Sequence, residues 1–170
     1  MATERAGATT LRGQPMTLIG PALKVGDTAP KFTIIKGREK YAFSPVGERV
    51  RILSVVPSLD TPVCDQQTRR FNEEAAKLPN VEILTISVDL PAAQGRWCGA
   101  AGIDKVACLS DHYDTSFGQA YGVLIKELRL LSRAIFVVGK DGKLKHVEYV
   151  MEVGSHPNYE AAIEAAKKAA

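Results

Sequence analysis

Cys64 is the residue of this chain whose surroundings point most directly to chemistry. An apolar, strand-like segment stops at Pro57, and an amphipathic helical pattern begins near Pro62. The thiol therefore lies in the first turn of a helix, just beyond a strand. The N–H groups of a first turn have no intrahelical partner, and the helix dipole favours negative charge there. We expect the thiolate to be stabilised and to react.

The start of this helix has a clear local pattern. Thr61 is expected to be the N-cap, with Pro62 at the first helical position, where its missing N–H costs nothing. The N–H of Cys64 is then a natural partner for the Thr61 oxygen. The alternative is that Thr61 and Pro62 only begin a helix, and that Cys64 is a small buried apolar side chain, as free cysteines often are.

Charge close to Cys64 in the sequence opposes its ionisation. Asp60 and Asp65 are acidic, and a negative charge disfavours a second one nearby. A reactive thiolate would need a cation from elsewhere in the fold. Arg133 is the candidate, because it precedes the apolar run 134–138, and a neighbouring strand could bring it to the same end of the sheet.

The elements that position these residues follow from apolar runs, helical spacing and turn residues. Strands are predicted at 9–11, 16–18, 32–36, 41–44, 50–56, 81–88, 106–109, 134–138 and 144–150, and helices at 62–78, 91–98, 115–121 and 157–170. Short turns make hairpins of the first two and the last two strands. The order of elements predicts one α/β domain over residues 1–170, with a central mixed β-sheet flanked by helices on both faces and an N-terminal β-hairpin. At most residues 1–7 are expected to be disordered.

Composition excludes several classes of protein. The chain has 170 residues, 45% of them hydrophobic and 24% charged, which is typical of a globular domain. A net charge of +3 with scattered basic residues indicates no nucleic-acid partner, and no apolar run approaches the roughly 18 residues of a membrane helix. Three cysteines without Cys-x-x-Cys or paired histidines suit neither a disulfide scaffold nor a zinc site. Because the first twelve residues lack an apolar core, we expect no secretory signal and a cytoplasmic location. No residue cluster indicates a metal or another cofactor, so we expect none.

Several motifs together resemble one known family. Pro57-x-x-x-Thr61-x-x-Cys64 is the pattern that peroxiredoxins carry around their peroxide-attacking cysteine, and the chain resembles their thiol peroxidase subfamily. The further matches are Phe71-Asn72, Val88-Asp89-Leu90-Pro91, Arg96-Trp97-Cys98-Gly99, Gln119-Ala120-Tyr121-Gly122-Val123, Leu131-Ser132-Arg133-Ala134 and Pro157-Asn158-Tyr159-Glu160-Ala161-Ala162. The resemblance covers nearly the whole chain and implies a thioredoxin-like fold.

The resemblance also implies an activity: thiol-dependent reduction of hydrogen peroxide and organic hydroperoxides to water or alcohols. Cys64 would attack the peroxide and become a sulfenic acid, and Cys98 would resolve it as an intrachain disulfide. Thioredoxin or a similar dithiol protein would then reduce that disulfide. By the same resemblance Thr61 orients peroxide and thiolate, Pro57 shields the site, and Arg133 stabilises the thiolate and the leaving oxygen. A homodimer is expected on the same basis.

The helix predicted to carry Cys98 is suited to local unfolding. It contains Gly95, and an interior glycine costs about 1 kcal/mol relative to alanine. A disulfide needs Cα atoms within roughly 7 Å, so we expect residues 91–102 to unfold when Cys98 joins Cys64. Cys108 lies in an apolar strand and is expected to be a buried structural thiol. The alternative that Cys108 resolves the sulfenic acid stays open.

Two other functions fit the same residues. A thioredoxin-like disulfide exchanger would share the fold, but Thr61 and Gln67 stand where the partner of a Cys-x-x-Cys pair would be. A redox sensor or binding module would use oxidation of Cys64 to change a partner surface without turnover. Sustained peroxide consumption would separate a peroxidase from both.

Overall fold

A computed structural model of the protein describes residues 2–170, which form ten strands and four helices. The strands are β1 (Glu4–Leu11), β2 (Gln14–Ile19), β3 (Phe32–Lys36), β4 (Glu39–Phe43), β5 (Val50–Val55), β6 (Val81–Ser87), β7 (Ala107–Ser110), β8 (Leu124–Ile125), β9 (Ala134–Val138) and β10 (Leu144–Tyr149). The helices are α1 (Pro62–Ala75), α2 (Pro91–Ala101), α3 (Ser116–Ala120) and α4 (Tyr159–Ala169). None of the helices formed by residues 2–170 is long and apolar enough to cross a membrane.

Seven strands form the central sheet, in the order β10-β9-β5-β6-β7-β3-β4. The three middle strands β5, β6 and β7 run parallel, whereas β9 is antiparallel to β5, and β3 is antiparallel to β7. The N-terminal hairpin of β1 and β2 pairs with β8 in a second, three-stranded sheet. The predicted thioredoxin-like α/β architecture, with its mixed sheet and N-terminal hairpin, is confirmed.

The core lies on both faces of the central strand β5, all of whose residues are buried. Successive side chains of a strand point to opposite faces. Ile52 accordingly packs with Phe71 of α1 and Ile163 of α4 on one face, while Leu53 packs with Phe117 of α3 on the other. The predicted placement of helices on both faces is correct, and it leaves the carboxyl end of β5 free to carry a site.

The first strand begins earlier than the sequence indicated. Residues 4–7 lie in β1, where we expected disorder over the first seven residues; Met1 lies outside the described residues. The physical reason is the Arg5 side chain, whose Nε donates to the Gly20 carbonyl oxygen at 2.9 Å and whose guanidinium also donates to the Gly122 carbonyl oxygen. These bonds fasten the start of the chain to the domain.

Of the helix boundaries that differ from the prediction, two are explained by their caps. α4 starts at Tyr159 rather than at position 157, since the Asn158 side chain accepts the N–H of Ala161 at 3.0 Å. α2 continues to Ala101, three residues beyond its predicted end, and Gly102 closes it in the left-handed conformation at φ +68°. The strand β8 was not predicted, because two residues are too few to give a periodic pattern.

Candidate active site

The carboxyl end of β5 is where the predicted site residues meet. β5 pairs antiparallel with β9, with Val55 opposite Ala134. The residue that precedes β9 is therefore at the same end of the sheet as the residues that follow β5. This register brings Arg133 to the loop that leads into α1, which is the arrangement expected from the sequence.

Arg133 contacts the Cys64 sulfur directly. Its Nη2 lies 3.3 Å from Cys64 Sγ, its Nη1 donates to Gln67 Oε1 at 2.8 Å, and its Nε donates to the Val153 carbonyl oxygen at 2.9 Å. The arginine is only 2% exposed, and Cys64 is fully buried. A buried guanidinium held by two neutral acceptors keeps its positive charge available to the sulfur. Negative charge on Sγ is therefore stabilised.

The Thr61 hydroxyl lies against the sulfur and does not cap α1. Thr61 occupies the N-cap position with extended backbone, but its side chain makes no capping bond to any residue of the described chain, so the expected pairing with the Cys64 N–H is wrong. The reason is that Oγ1 is engaged elsewhere, 2.7 Å from Cys64 Sγ and 2.9 Å from the Ser58 carbonyl oxygen. The hydroxyl can donate to a thiolate, or donate to Ser58 while accepting from the thiol.

The two acids near Cys64 in the sequence face solvent. The Asp65 carboxylate pairs with Arg69 Nε at 2.9 Å, and Asp60 is exposed. Charges in water are screened far more than a buried pair such as the Cys64 sulfur and Arg133. The electrostatic objection to a thiolate is therefore met by the geometry of the site.

A pocket of about 410 Å³ lies beside Thr61 and Arg133, the two side chains that contact the Cys64 sulfur. Three of the predicted site residues, Pro57, Thr61 and Arg133, line it. Most of the remaining wall is apolar, and includes side chains of the N-terminal hairpin and of the segment around β8. A small molecule in this pocket would contact the same two side chains that contact Cys64 Sγ, while Cys64 itself is fully buried.

Gln67 belongs to the site and was not singled out from the sequence. It is fully buried, and its amide links two groups: Oε1 accepts from Arg133 Nη1, while Nε2 donates to Ser54 Oγ of β5 at 2.7 Å. The link fixes the orientation of the guanidinium relative to the sheet. The available signal was a glutamine on the helix face that also carries Cys64 and Phe71.

Asp89 is the second residue that was missed. It follows β6 and accepts from Ser58 Oγ at 2.7 Å, from the Leu59 N–H at 2.8 Å and from Ser87 Oγ at 2.8 Å. The bonds from Ser58 and Leu59 hold the loop that precedes Thr61, and the bond from Ser87 ties the carboxylate to the end of β6. An acid directly after a buried parallel strand, at the sheet edge where Cys64 was expected, was the signal for it.

Replacing Gln67 with methionine should slow peroxide reduction. The change keeps the size of the side chain but leaves Arg133 Nη1 without its acceptor, which costs about 1–3 kcal/mol and frees the guanidinium to turn. We expect kcat/KM for hydroperoxide to fall by about tenfold, with an unchanged KM for the reducing dithiol. Gln66→Met is the matched control, because Gln66 is exposed on the same helix. Equal losses in both variants would contradict the role of Gln67.

Cys98 contacts Cys108 instead of Cys64. The two sulfurs lie 3.1 Å apart, both residues are half-buried, and all three cysteines are free. The hydrogen bond between the two thiols lowers the pKa of Cys98, and the same bond together with burial raises the pKa of Cys108. Cys108, which we expected to be a buried structural thiol, is half-buried, and the docking of α2 on β7 places it against a second thiol.

A family model, related sequences and a solved structure all indicate the same family for this chain. The family model described as Redoxin matches residues 24–163. The chain is 59% identical to a thiol peroxidase of Bacillus subtilis (strain 168) over 159 residues, which are 93% of this chain and 95% of that one. It is 57% identical to a thiol peroxidase of Halalkalibacterium halodurans over 165 residues, with coverage of 94% and 97%. The crystal structure of a peroxiredoxin-like protein from Aquifex aeolicus matches with a TM-score of 0.91 and 37% identity, over 97% of this chain and 98% of that one.

Proposed function

The chain belongs to the redoxin family and, within it, to the thiol peroxidases of the peroxiredoxins, and from this membership we propose that it reduces hydroperoxides by attack of the Cys64 thiolate. The observation that carries the assignment to Cys64 is the pair of donors at its sulfur, Thr61 Oγ1 at 2.7 Å and Arg133 Nη2 at 3.3 Å. Both donors also line the adjoining pocket. A peroxide there would meet the nucleophile and the cation together.

In the first step the Cys64 thiolate attacks the terminal peroxide oxygen. An S–O bond forms, the O–O bond breaks, and the electron pair leaves on the second oxygen, which takes a proton and departs as water or an alcohol. The Arg133 guanidinium stabilises the charge that develops on the leaving oxygen. Thr61 keeps the sulfur and the peroxide aligned, and Pro57 closes one side of the pocket.

In the second step Cys98 attacks the sulfenic acid of Cys64, so that an S–S bond forms and water leaves. The choice of Cys98 over Cys108 is supported by their shared hydrogen bond, which lowers the pKa of Cys98 and raises that of Cys108. The more readily ionised thiol is the better nucleophile near neutral pH. A dithiol reductant then restores both thiols by disulfide exchange, and thiols supply the electrons in every step.

We extend the substrates to organic hydroperoxides as well as hydrogen peroxide. A pocket of about 410 Å³ is far larger than hydrogen peroxide needs, and its wall carries apolar side chains such as Leu11, Ile125 and Leu130. An alkyl or aryl group attached to the peroxide could be buried against them. Hydrogen peroxide would gain nothing from this wall.

Three finer expectations belong to the same proposal. The reductant is thioredoxin or a protein of similar dithiol chemistry, because a disulfide must be reduced in each cycle. The compartment is the cytoplasm, where such dithiols are kept reduced. The protein works as a homodimer, for which the exposed Leu90 and Tyr113 beside one shallow surface groove offer apolar contact area.

The function is tested by a steady-state assay with a thioredoxin system and cumene hydroperoxide. The wild-type protein should consume peroxide over many turnovers. Cys98→Ser should consume about one equivalent per chain and stop, because its Cys64 sulfenic acid has no resolving partner; dimedone should label that acid. Undiminished turnover by Cys98→Ser would show that another thiol resolves. Reduction of insulin disulfides without peroxide consumption would instead favour a disulfide exchanger.

A further inference from the structure

We propose that the chain holds a second redox centre, Cys98 with Cys108, to which the disulfide first formed between Cys64 and Cys98 is passed. The proposal rests on the proposed function, since reduction of peroxide supplies the first disulfide. It assigns Cys108 a role as the terminal partner in an intrachain relay. Four features of the fold support it.

The first feature is that the fold already holds the two sulfurs of this centre together. Cys98 Sγ and Cys108 Sγ lie 3.1 Å apart, and a disulfide bond is about 2 Å long. The sulfurs must therefore approach by about 1 Å. α2 is also anchored on β7 next to this pair, where Gln94 Nε2 donates to the Leu109 carbonyl oxygen at 2.9 Å. A Cys98–Cys108 bridge can form with α2 in its native position.

The second feature is that a Cys64–Cys98 bridge, by contrast, requires Cys98 to leave its present contact, since its sulfur lies against Cys108 while Cys64 Sγ contacts Thr61 and Arg133. A groove of about 370 Å³ is lined by the loop 58–60 and by Arg96 and Trp97 of α2, the helix that carries Cys98. The helix is weakly held, because Gln94 is the one buried residue among its 11. Gly95 and Gly99 face open space and lower the stability of the helix without serving its packing. A first disulfide that draws Cys98 from Cys108 towards Cys64 therefore acts on a weakly packed helix, and transfer to Cys108 restores the native contact of Cys98.

The third feature is a row of cross-strand neighbours in the central sheet that connects Cys108 with the helix that carries Cys64. Cys108 is opposite Thr85 on β6, Thr85 is opposite Ser54 on β5, and Ser54 is bonded to Gln67 of α1. Cys108 also packs against the buried apolar cluster that contains Cys64. Cys98, which contacts Cys108, therefore lies next to the cluster that contains Cys64.

A buried hydroxyl in this row can assist the exchange. Thr85 is 1% exposed, and its Oγ1 finds no hydrogen-bond partner within residues 2–170. Because its proton has no acceptor, the Thr85 hydroxyl can donate a hydrogen bond to a neighbouring thiolate. Thr85 is the direct cross-strand neighbour of Cys108.

The fourth feature is the chemistry of the two end states. The Cys108 thiolate attacks Cys98 Sγ, the Cys98–Cys108 bond forms, the Cys64–Cys98 bond breaks, and its electron pair leaves on Cys64. The proton of Cys108 goes to solvent, and no further oxidant is needed. The leaving thiolate returns to Thr61 and Arg133, which stabilise it. In the reduced protein the bond to Cys98 is the main cause of the raised pKa of Cys108, and that cause vanishes once Cys98 is in a disulfide.

The relay gives the enzyme a functional advantage. Cys64 is free to meet a second peroxide while the first oxidising equivalent waits at Cys98, which is half-buried where Cys64 is fully buried. A dithiol protein can approach Cys98 on the thinly packed surface of α2. One chain should then accept about two equivalents of peroxide before it needs reductant.

The test compares the wild-type protein with Cys108→Ser, both fully reduced and without any reductant. Each receives one equivalent of cumene hydroperoxide, is quenched in acid, alkylated, and mapped as non-reduced peptides. We expect the wild-type protein to end with a Cys98–Cys108 bridge and alkylated Cys64, after transient Cys64–Cys98. Cys108→Ser should stop at Cys64–Cys98, and with excess peroxide it should consume about half as much as the wild-type protein. Cys108→Ala serves as the second variant should serine disturb the fold.

Amide exchange gives an independent reading of the same relay. Residues 91–102 should exchange faster in oxidised Cys108→Ser than in its reduced form, and return close to the reduced rate in the oxidised wild-type protein. A wild-type protein that remains at Cys64–Cys98, or that forms Cys64–Cys108, would overturn the relay. Failure of the proposed function would give a different result: Cys64→Ser would consume peroxide as fast as the wild-type protein and Cys108→Ser.

Discussion

Replacing Cys64 with serine should reduce hydroperoxide consumption to the level of the uncatalysed reaction, a loss of at least about 10³-fold. A serine hydroxyl is not ionised near neutral pH, and its oxygen cannot form the sulfenic acid on which the cycle depends. Serine still offers an oxygen to Thr61 Oγ1 and Arg133 Nη2, so the buried donors keep an acceptor. The loss should therefore arise from chemistry and leave the fold in place.

Two measurements together test this expectation. Peroxide consumption is followed with a thioredoxin system over many turnovers, and thermal unfolding is followed by circular dichroism, where the change in the free energy of unfolding should stay within about 2 kcal/mol. A cooperative unfolding transition without turnover supports Cys64 as the nucleophile. Substantial turnover by the serine variant would mean that peroxide reacts at Cys98 or Cys108, and would remove the basis of the assignment.

The local parts of this site could be predicted from the sequence. An apolar run ending at Pro57, followed by a proline-initiated amphipathic helix, places Cys64 in a first turn whatever the rest of the fold does. The sequence also made Arg133 a candidate, because an arginine directly before an apolar strand lies at one end of the sheet. Which end that is depends on the direction of the strand. The antiparallel register of β5 and β9 places Arg133 at the end that carries Cys64.

The contacts that were missed depend on tertiary packing. Thr61 was expected to cap α1, and its hydroxyl turned out to lie between the sulfur and the Ser58 carbonyl oxygen, which no local pattern distinguishes from a cap. The Cys98–Cys108 pair depends on the angle at which α2 docks on β7. Because α2 has one buried side chain, its sequence contains no apolar stripe from which that angle could be inferred.

The chemistry of Cys64 depends on the sheet as much as on its helix. The helix start supplies unpaired N–H groups, β9 delivers Arg133, and β6 delivers Asp89, which ties down the loop before Thr61. Three elements distant in sequence thus meet at the carboxyl end of β5. The helix itself cannot supply the cation, which is the Arg133 guanidinium. Removing this guanidinium should have the second largest effect on peroxide reduction, after removal of the Cys64 sulfur.

Replacing Arg133 with lysine should lower kcat/KM for hydroperoxide by about 10²–10³-fold. Lysine keeps the positive charge, but its single ammonium cannot reach Val153, Gln67 and the sulfur together, as the guanidinium does. The charge on the leaving oxygen then loses a donor that is held in place before the reaction begins. Arg70→Lys is the matched control on α1, since Arg70 is partly exposed and pairs with Glu160; it should stay within about twofold of the wild-type rate.

Arg133→Met separates charge from geometry in the same assay. If the several N–H donors of the guanidinium are needed, the lysine and methionine variants should both lose most of the activity. If the lysine variant is nearly as active as the wild-type protein and the methionine variant is inactive, the positive charge alone suffices. Both substitutions leave buried acceptors unpaired and could therefore disturb the structure. Each variant is for this reason also measured in a single turnover, in which dimedone labelling of Cys64 follows the rate of sulfenic acid formation. A structural defect would lower the fraction of chains that react, while a lost electrostatic contact lowers the rate constant of those that do. Arg133 stabilises the transition state only if the rate constant falls.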